Sequence, residues 1–396
     1  MMHEKLTFPA TRGRCPFAPP TEVDHMRRES PVQRVTLWDG SKAWLVTGHA
    51  EVRDVLRDPT FSSEPHHPGF PWINQGLKSQ NTGNVPSFIR MDGDRHARLR
   101  RILAEDFTPR RAEALRPEIQ QAVHECLDHI IEQSSPVDLM TALALPVPSL
   151  IICRLLGARY EDHQFFQERA GKLLQTFAEP GELEQANHEL LGYLSALADS
   201  KRAEPDHSIV SRLVSSGELA DSEIARQCMF LLIAGHETTA NQITMSTLAL
   251  LRAPDQLAML RAQPELIRST VEELLRYATI VHSGAPRVAT RDVRVGEEII
   301  QSGDGVLCVL DAANHDERAF DAPGELDITR RGQPHVAFGF GTHQCLGQHL
   351  ARVELHVVLE TLLQRLPQLR LGVPFEQLRF KEDGAVYGVR QLPVHW

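Results

Sequence analysis

The stretch Phe338 to Gly347, FGFGTHQCLG, puts a single cysteine in a glycine-bordered bend just ahead of a long amphipathic pattern. Beyond Cys345 the apolar residues Leu346, Leu350, Val353, Val357, Leu359, Leu362 and Leu363 recur at helical spacing as far as Pro367. The Cys345 sulfur is therefore expected at or near a helix N-terminus, whose positive end favours a thiolate. A free thiol of pKa about 8.5 is only roughly 3 % ionised at neutral pH, so a standing thiolate needs on the order of 2 kcal/mol from the dipole, amide donors or a metal. Taken alone, the same bend also suits a buried structural cysteine beside a turn.

No linker, low-complexity tract or internal repeat divides the chain, so residues 1–396 read as a single domain. Hydrophobic residues make up 42 % of it and charged residues 24 %, a balance that can bury a large core. The formal net charge of −10 argues against a chain-wide surface for nucleic acid or anionic membrane. No segment approaches the roughly eighteen apolar residues of a membrane span, and the first residues carry no apolar run, so a soluble, unexported protein is expected. Cys15, Cys126, Cys153, Cys228, Cys308 and Cys345 are scattered without a CxxC pair. That fits a reducing cytoplasm better than a disulfide framework or a zinc ribbon.

Two β-rich runs between Val32 and Val46 flank Asp39-Gly40 and predict a hairpin, with a short helix over Ala50 to Leu56. Residues 64 to 87 lack periodicity and read as a long functional loop. Helical patterns dominate from Asp94 to Leu213, with breaks expected near Pro136, Pro146 to Pro148, Pro180-Gly181 and Pro205. A long helix is predicted from about Asp221 to Ala253, stopping before Pro254, and another from about Pro264 to Tyr277. The expected β-rich parts are about 32–62, 286–310 and 370–396, against a helical core of about 94–277 and 346–366. The fold class is mainly α (α+β).

Inside the long helix, AGHETT places Glu237 and Thr238 side by side among Phe230, Leu231, Leu232 and Ile233. Adjacent polar residues in an apolar helix need a partner or a purpose. A threonine bonding back to the carbonyl four residues earlier is the simpler account. His236 hints at zinc, but HETTA lacks the second histidine of HExxH. In EELLR, Glu273 and Arg276 stand three apart on one helix face and can form an ion pair. In MDGDRHARLRR, His96 and Arg100 share a face, while Arg98 and Arg101 point away from it. With Arg110 and Arg111 these outward arginines make a basic surface.

The ten-residue stretch matches FxxGxxxCxG and resembles the haem-thiolate signature of the cytochrome P-450 family, with Phe338, Gly341, Cys345 and Gly347 at the specified positions. Glycines there let a flat macrocycle lie close to the backbone. The resemblance runs from about Cys15 to Trp396 and is closest to the soluble actinobacterial type. It implies the P-450 fold, a large helical domain with a smaller β-rich region, holding haem b (iron protoporphyrin IX) with Cys345 on the iron. Thr238 is then implied in oxygen activation and Glu237 in proton delivery, with Ala234 and Gly235 leaving room for oxygen. His96, Arg100, Arg287 and His343 are the implied anchors of the haem propionates. The Glu273-Arg276 pair is similar to the family's buried brace, but the place of its usual third partner, an arginine, is taken by Glu325. His315 likewise stands where an arginine is common.

The implied reaction is insertion of one atom of O2 into a C–H or C=C bond of a small organic molecule, such as hydroxylation of a macrolide, polyketide or other secondary metabolite. Electrons would come from NAD(P)H through a ferredoxin reductase and a ferredoxin, docked on the basic surface. The implied substrate-facing segments are the 64 to 87 loop, Leu173 to Glu179, Phe230 to Ala234, Ile280 to Ala285 and Val386-Tyr387. A peroxide-driven peroxygenase, a dehydratase-type relative and a haem sensor or carrier are the alternatives. The intact Glu237-Thr238 pair argues against the first two, and a sensor or carrier would not need it.

Overall fold

In the computed structural model, residues 7–396 are described apart from 14, 82–85, 175–179, 333 and 383–385. Asp39-Gly40 turns the chain between strands Val32–Leu37 and Lys42–Val46, which pair antiparallel with Val32 opposite Val46. Gly40 sits at φ +81°, a conformation cheap only for glycine. This hairpin belongs to a six-stranded sheet in the order Thr7–Phe8, Val32–Leu37, Lys42–Val46, Gly305–Cys308, Ala285–Ala289, Phe61–Ser62. Gly305–Cys308 runs parallel to Lys42–Val46 and antiparallel to Ala285–Ala289. A smaller sheet joins Arg370–Leu371, Pro393–His395 and Val137–Asp138, while Val293–Val295 and Glu298–Ile300 pair as a separate hairpin.

Helix fills most of the remainder around Asp221–Arg252, a 32-residue helix of about 48 Å. Residues Thr239 to Leu250 are buried all round, as befits a helix through the middle of a core. Pro146–Leu156, Pro180–Ala203 and Gln348–Arg365 pack against it. It stops at Arg252 because Pro254 disfavours helical backbone at the residue before it. Pro254 then opens the next helix, Pro254–Ala262.

The helical pattern is interrupted where the prolines predict: Pro146 and Pro180 each open a new helix, since the first helical position needs no N–H donor. Pro146 follows a five-residue π-helix, Met140–Ala144. The 64 to 87 loop likewise contains a short helix, Gln75–Asn81.

A buried ionic node holds the chain that leads into the cysteine bend. Arg276 donates to both oxygens of Glu273 at 2.8 and 2.7 Å, and to the carbonyls of Asn314, Pro323 and Glu325. The third partner is Arg330, whose Nε lies 3.0 Å from both Glu273 oxygens. Glu325 contributes only its backbone. Asn314 extends the node by donating to Thr279 Oγ1 and accepting from the N–H of Val336.

Glu354, on the Gln348–Arg365 helix, is 2 % exposed, and its Oε2 has no hydrogen-bond partner. Burial alone pushes its carboxyl up from 4.5 to about 8. The folded chain thus keeps a proton that the unfolded chain releases. Stability from this group is complete below pH 4.5 and is lost as the pH rises through 8. Glu354→Gln is expected to melt with the wild type near pH 5 and to exceed it near pH 8 by on the order of a few kcal/mol, which thermal melts across that range will read.

Candidate active site

Cys345 lies in a turn closed by its own N–H donating to the Phe338 carbonyl at 2.8 Å, two residues before the N-cap of the Gln348–Arg365 helix. Gly339 and Gly341 take φ of +70° and +72°. At Gly341 a Cβ would also lie 2.4 Å from the Leu56 carbonyl, so helix His49–Arg57 presses directly on the bend. Gly347 differs: its φ is an ordinary −82°, and a Cβ there would meet no atom within 4 Å. Neither backbone nor protein packing demands glycine at 347, and the space its Cβ would enter is open. Phe338 is covered by the Arg352 guanidinium at 4.6 Å, itself paired with Glu272.

The Cys345 side chain has open surface, yet surrounding protein desolvates it and pushes its thiol up. Open surface in a desolvated setting means the sulfur faces an interior space. The Gly347 N–H and the charges of Arg100 and Arg352 act in the opposite sense and favour the thiolate. Cys126 is half-buried and Cys153, Cys228 and Cys308 are buried, with thiols pushed up to about 11 or 12, which suits inert core residues.

Helix Gly93–Ala104 brings His96 and Arg100 to the bend. The His96 and His343 rings lie 4.1 Å apart, and Arg100 donates to the Gln344 carbonyl at 2.6 Å. Arg287, on strand Ala285–Ala289, is buried and donates only to its neighbour Pro286, with no ion pair among the described residues. Arg90 is close enough to Arg287 that burial and this like charge lower it to about 10. Asp92 is the carboxylate against His343, and it is already taken by Ser62, Ser63 and His343 Nε2. These bonds outweigh its burial and hold it well below the usual carboxylate range. His96, lowered to about 4 by burial and by neighbouring cations, and His343, lowered by burial, are neutral at pH 7. Their His96 Nε2 and His343 Nδ1 atoms are buried without partners.

On the Asp221–Arg252 helix, Ile233, Ala234, Glu237 and Thr238 keep some open surface while Leu232, His236, Thr239 and Ala240 are buried. That spacing is one helix face. Thr238 Oγ1 donates to the Ala234 carbonyl at 2.6 Å, the back-bond expected of a helical threonine. Glu237 Oε1 accepts from Lys381 Nζ at 2.7 Å, and although burial opposes ionisation, the Lys381 ammonium keeps the carboxyl below its ordinary value. Gly235 also keeps some open surface, and a Cβ there would lie 2.8 Å from Ile152, so its missing side chain lets helix Pro146–Leu156 approach.

Of the implied substrate segments, 175–179 and 82–85 lie outside the described residues. Elsewhere, a cavity of about 600 Å³ is lined by the loop from Glu64 to Trp72 together with Pro86, Arg90 and Met91. Phe230 meets Phe88 edge-on at 5.3 Å, and the Tyr387 N–H donates to the Ile280 carbonyl. Sequence reasoning missed Arg90, Asp92 and Lys381. Asp92 had one local signal, its place as N-cap residue before Gly93–Ala104.

Arg90, Arg100 and Arg287 outnumber Asp92 in this cluster and two imidazole nitrogens lack partners, so the cluster fits an acidic ligand. The neighbouring glycine cradle fits a flat ligand, and an open thiol fits a metal that takes sulfur. Fold and site together define the haem-thiolate class of oxygenases. Comparison with known proteins reaches the same class from another direction. The family model for Cytochrome P450 matches residues 181–369. Cytochrome P450-SU2 of Streptomyces griseolus is 53 % identical over 99 % of this chain and 98 % of its own length. Pentalenic acid synthase of Streptomyces avermitilis is 43 % identical over 99 % and 97 %. The crystal structure of mycinamicin VIII C21 methyl hydroxylase from Micromonospora griseorubida, bound to mycinamicin VIII, superposes with a TM-score of 0.93 at 39 % identity, covering 99 % of this chain and all of the other. The chain belongs to the cytochrome P450 family and is a P450 monooxygenase, with a haem-thiolate iron cofactor, a small-molecule substrate and a redox partner. Among the described residues no helix is long and apolar enough to cross a membrane.

Proposed function

We propose that this single-domain monooxygenase holds haem b through Cys345 and hydroxylates a bulky secondary metabolite. The observation that carries the assignment is the open sulfur of Cys345 beside the empty Cβ position of Gly347. His96, Arg100, Arg287 and His343 would hold the two carboxylates, with Arg90 as a further cation. Phe338 and Gly341 shape the bend beneath. When bound, the haem supplies the iron that activates O2 for transfer of one oxygen atom to substrate.

The chain's own share is positioning, exclusion of water and proton management. Because the Thr238 hydroxyl spends its hydrogen on the Ala234 carbonyl, its lone pairs are left free to accept a hydrogen bond and so to relay a proton. Glu237 is the adjacent acid. Thr238→Ala keeps the helix but removes the relay. Product formed per NAD(P)H consumed is expected to fall by roughly tenfold or more while hydrogen peroxide rises. Coupled turnover in that variant, measured by oxygen, peroxide and product balance, would remove Thr238 from the mechanism.

Relatives named as a mycinamicin VIII hydroxylase and a pentalenic acid synthase support a macrolide, polyketide or similar secondary metabolite as substrate. For electrons we favour NAD(P)H, a ferredoxin reductase and an acidic ferredoxin in the cytoplasm. Arg101, Arg110 and Arg111 are exposed and suit such a partner. Arg98 is exposed as well, but it pairs with Glu218 at 2.8 Å, which partly offsets its charge. Reversing Arg101 and Arg110 to glutamate is expected to raise the KM for ferredoxin by about tenfold at low salt, with the difference shrinking as salt screens both enzymes. An unchanged KM and salt dependence would place the docking surface elsewhere.

A further inference from the structure

Glu237 is gripped from two sides. Asn241 Nδ2 donates to its carbonyl at 2.7 Å and to Oε1 at 3.2 Å, and Lys381 Nζ reaches the same Oε1 at 2.7 Å. Lys381 is in turn fixed to its neighbours. Its N–H donates to the Gly388 carbonyl at 2.7 Å, and Phe380 bridges Val389. That paired segment seats on the helix at Gly388, where a Cβ would lie 2.0 Å from Asn241 Oδ1.

The ion pair is thus a strap between the helix carrying Thr238 and the C-terminal strand region. The side chains of Glu237 and Lys381 are 13 % and 24 % exposed, so solvent screens the pair only partly, and deleting one charge leaves the other desolvated. The other titratable group against Glu237 is His236, whose ring is buried and bonded through Nδ1 to the Leu232 carbonyl. A carboxylate clasped by an ammonium is a poor proton source, and it is turned towards Lys381.

We propose that Lys381 is a positioning residue for proton delivery: its ammonium holds Glu237 in the ionised, clasped state, and Glu237 takes up a solvent proton and serves Thr238 only when that pair opens. The proposal rests on the assignment of Glu237 to proton delivery.

The test uses holoenzyme carrying Lys381→Met, Lys381→Gln, Lys381→Arg or Glu237→Gln, and the double variant Lys381→Met with Glu237→Gln. The carboxylic-acid C=O infrared band of Glu237, identified by its loss in Glu237→Gln, is titrated in the resting enzyme. Its midpoint is expected to rise by about one to three pH units in both uncharged variants and to stay in place in Lys381→Arg. The solvent deuterium isotope effect on turnover should shrink in the uncharged variants, return in Lys381→Arg, and show no additional change when Lys381→Met is added to Glu237→Gln. An unmoved band and isotope effect in Lys381→Met and Lys381→Gln, with Glu237→Gln impaired, would overturn the role of Lys381 alone. Wild-type turnover and isotope effect in Glu237→Gln would overturn the assignment of Glu237 and this proposal with it.

Discussion

Cys345→Ser is expected to lose the thiolate-type absorption of the reduced carbon monoxide complex and at least about a thousandfold in NAD(P)H-driven oxidation, equivalent to roughly 4 kcal/mol of barrier. Serine keeps the size of the side chain but replaces a soft, ionisable sulfur by a hydroxyl that stays protonated at neutral pH. The fold should survive, because the side chain faces open space and the turn is closed by backbone, through the N–H of 345 and the carbonyl of Phe338. Thermal melts separate the two effects: a melting point near that of the wild type with the band gone assigns the sulfur to the iron. Retention of the thiolate-type band in the serine variant would hand that role to another cysteine. Cys153, Cys228 and Cys308 are poor substitutes, since burial in the core pushes each thiol up to about 12.

Glu273→Ala should have the largest effect on the fold itself. The carboxylate accepts from Arg276, Arg330 and the Asp327 N–H, and it is only 3 % exposed. Removing it leaves the buried Arg276 guanidinium without its counter-charge, a loss of about 3–5 kcal/mol for a broken buried pair. The consequence should reach the cysteine bend, because Arg276 also holds the carbonyls of Asn314 and Pro323, and Asn314 holds Val336, two residues before Phe338. We expect a melting point lower by several degrees and poor retention of haem, with Glu273→Gln between this variant and wild type. A variant that melts within a degree of the wild type and keeps its haem would reduce the node to ornament.

Much of this was legible along the chain. The bend at Cys345, the helix after it and the Glu273-Arg276 pair each rest on contacts between residues less than ten positions apart, so spacing alone carries the geometry. Thr238 back-bonding to Ala234 is equally local. Gly341 was legible as a glycine, but half its reason is the Leu56 carbonyl, which only packing brings there. Gly235 was legible in the same way as a small residue that leaves room, and only packing shows that Ile152 lies against it. Arg330 escaped notice because it reaches Glu273 across 57 positions from an irregular segment.

By itself the sequence determined the periodic and short-range parts: which stretches are helical, where the hairpin turns, which cysteine has a glycine cradle, and which acid stands beside which alcohol. Backbone sterics and side-chain spacing act over a few residues, and one chain displays them in full. Tertiary structure alone decided the electrostatics. It set His343 against Asp92 across 251 positions and Lys381 against Glu237 across 144, and it brought Arg287 near Arg90 and, with Arg100, near His96 and His343. Charge interactions depend on distance through space and on the water excluded between the groups. Neither quantity exists until the chain has folded.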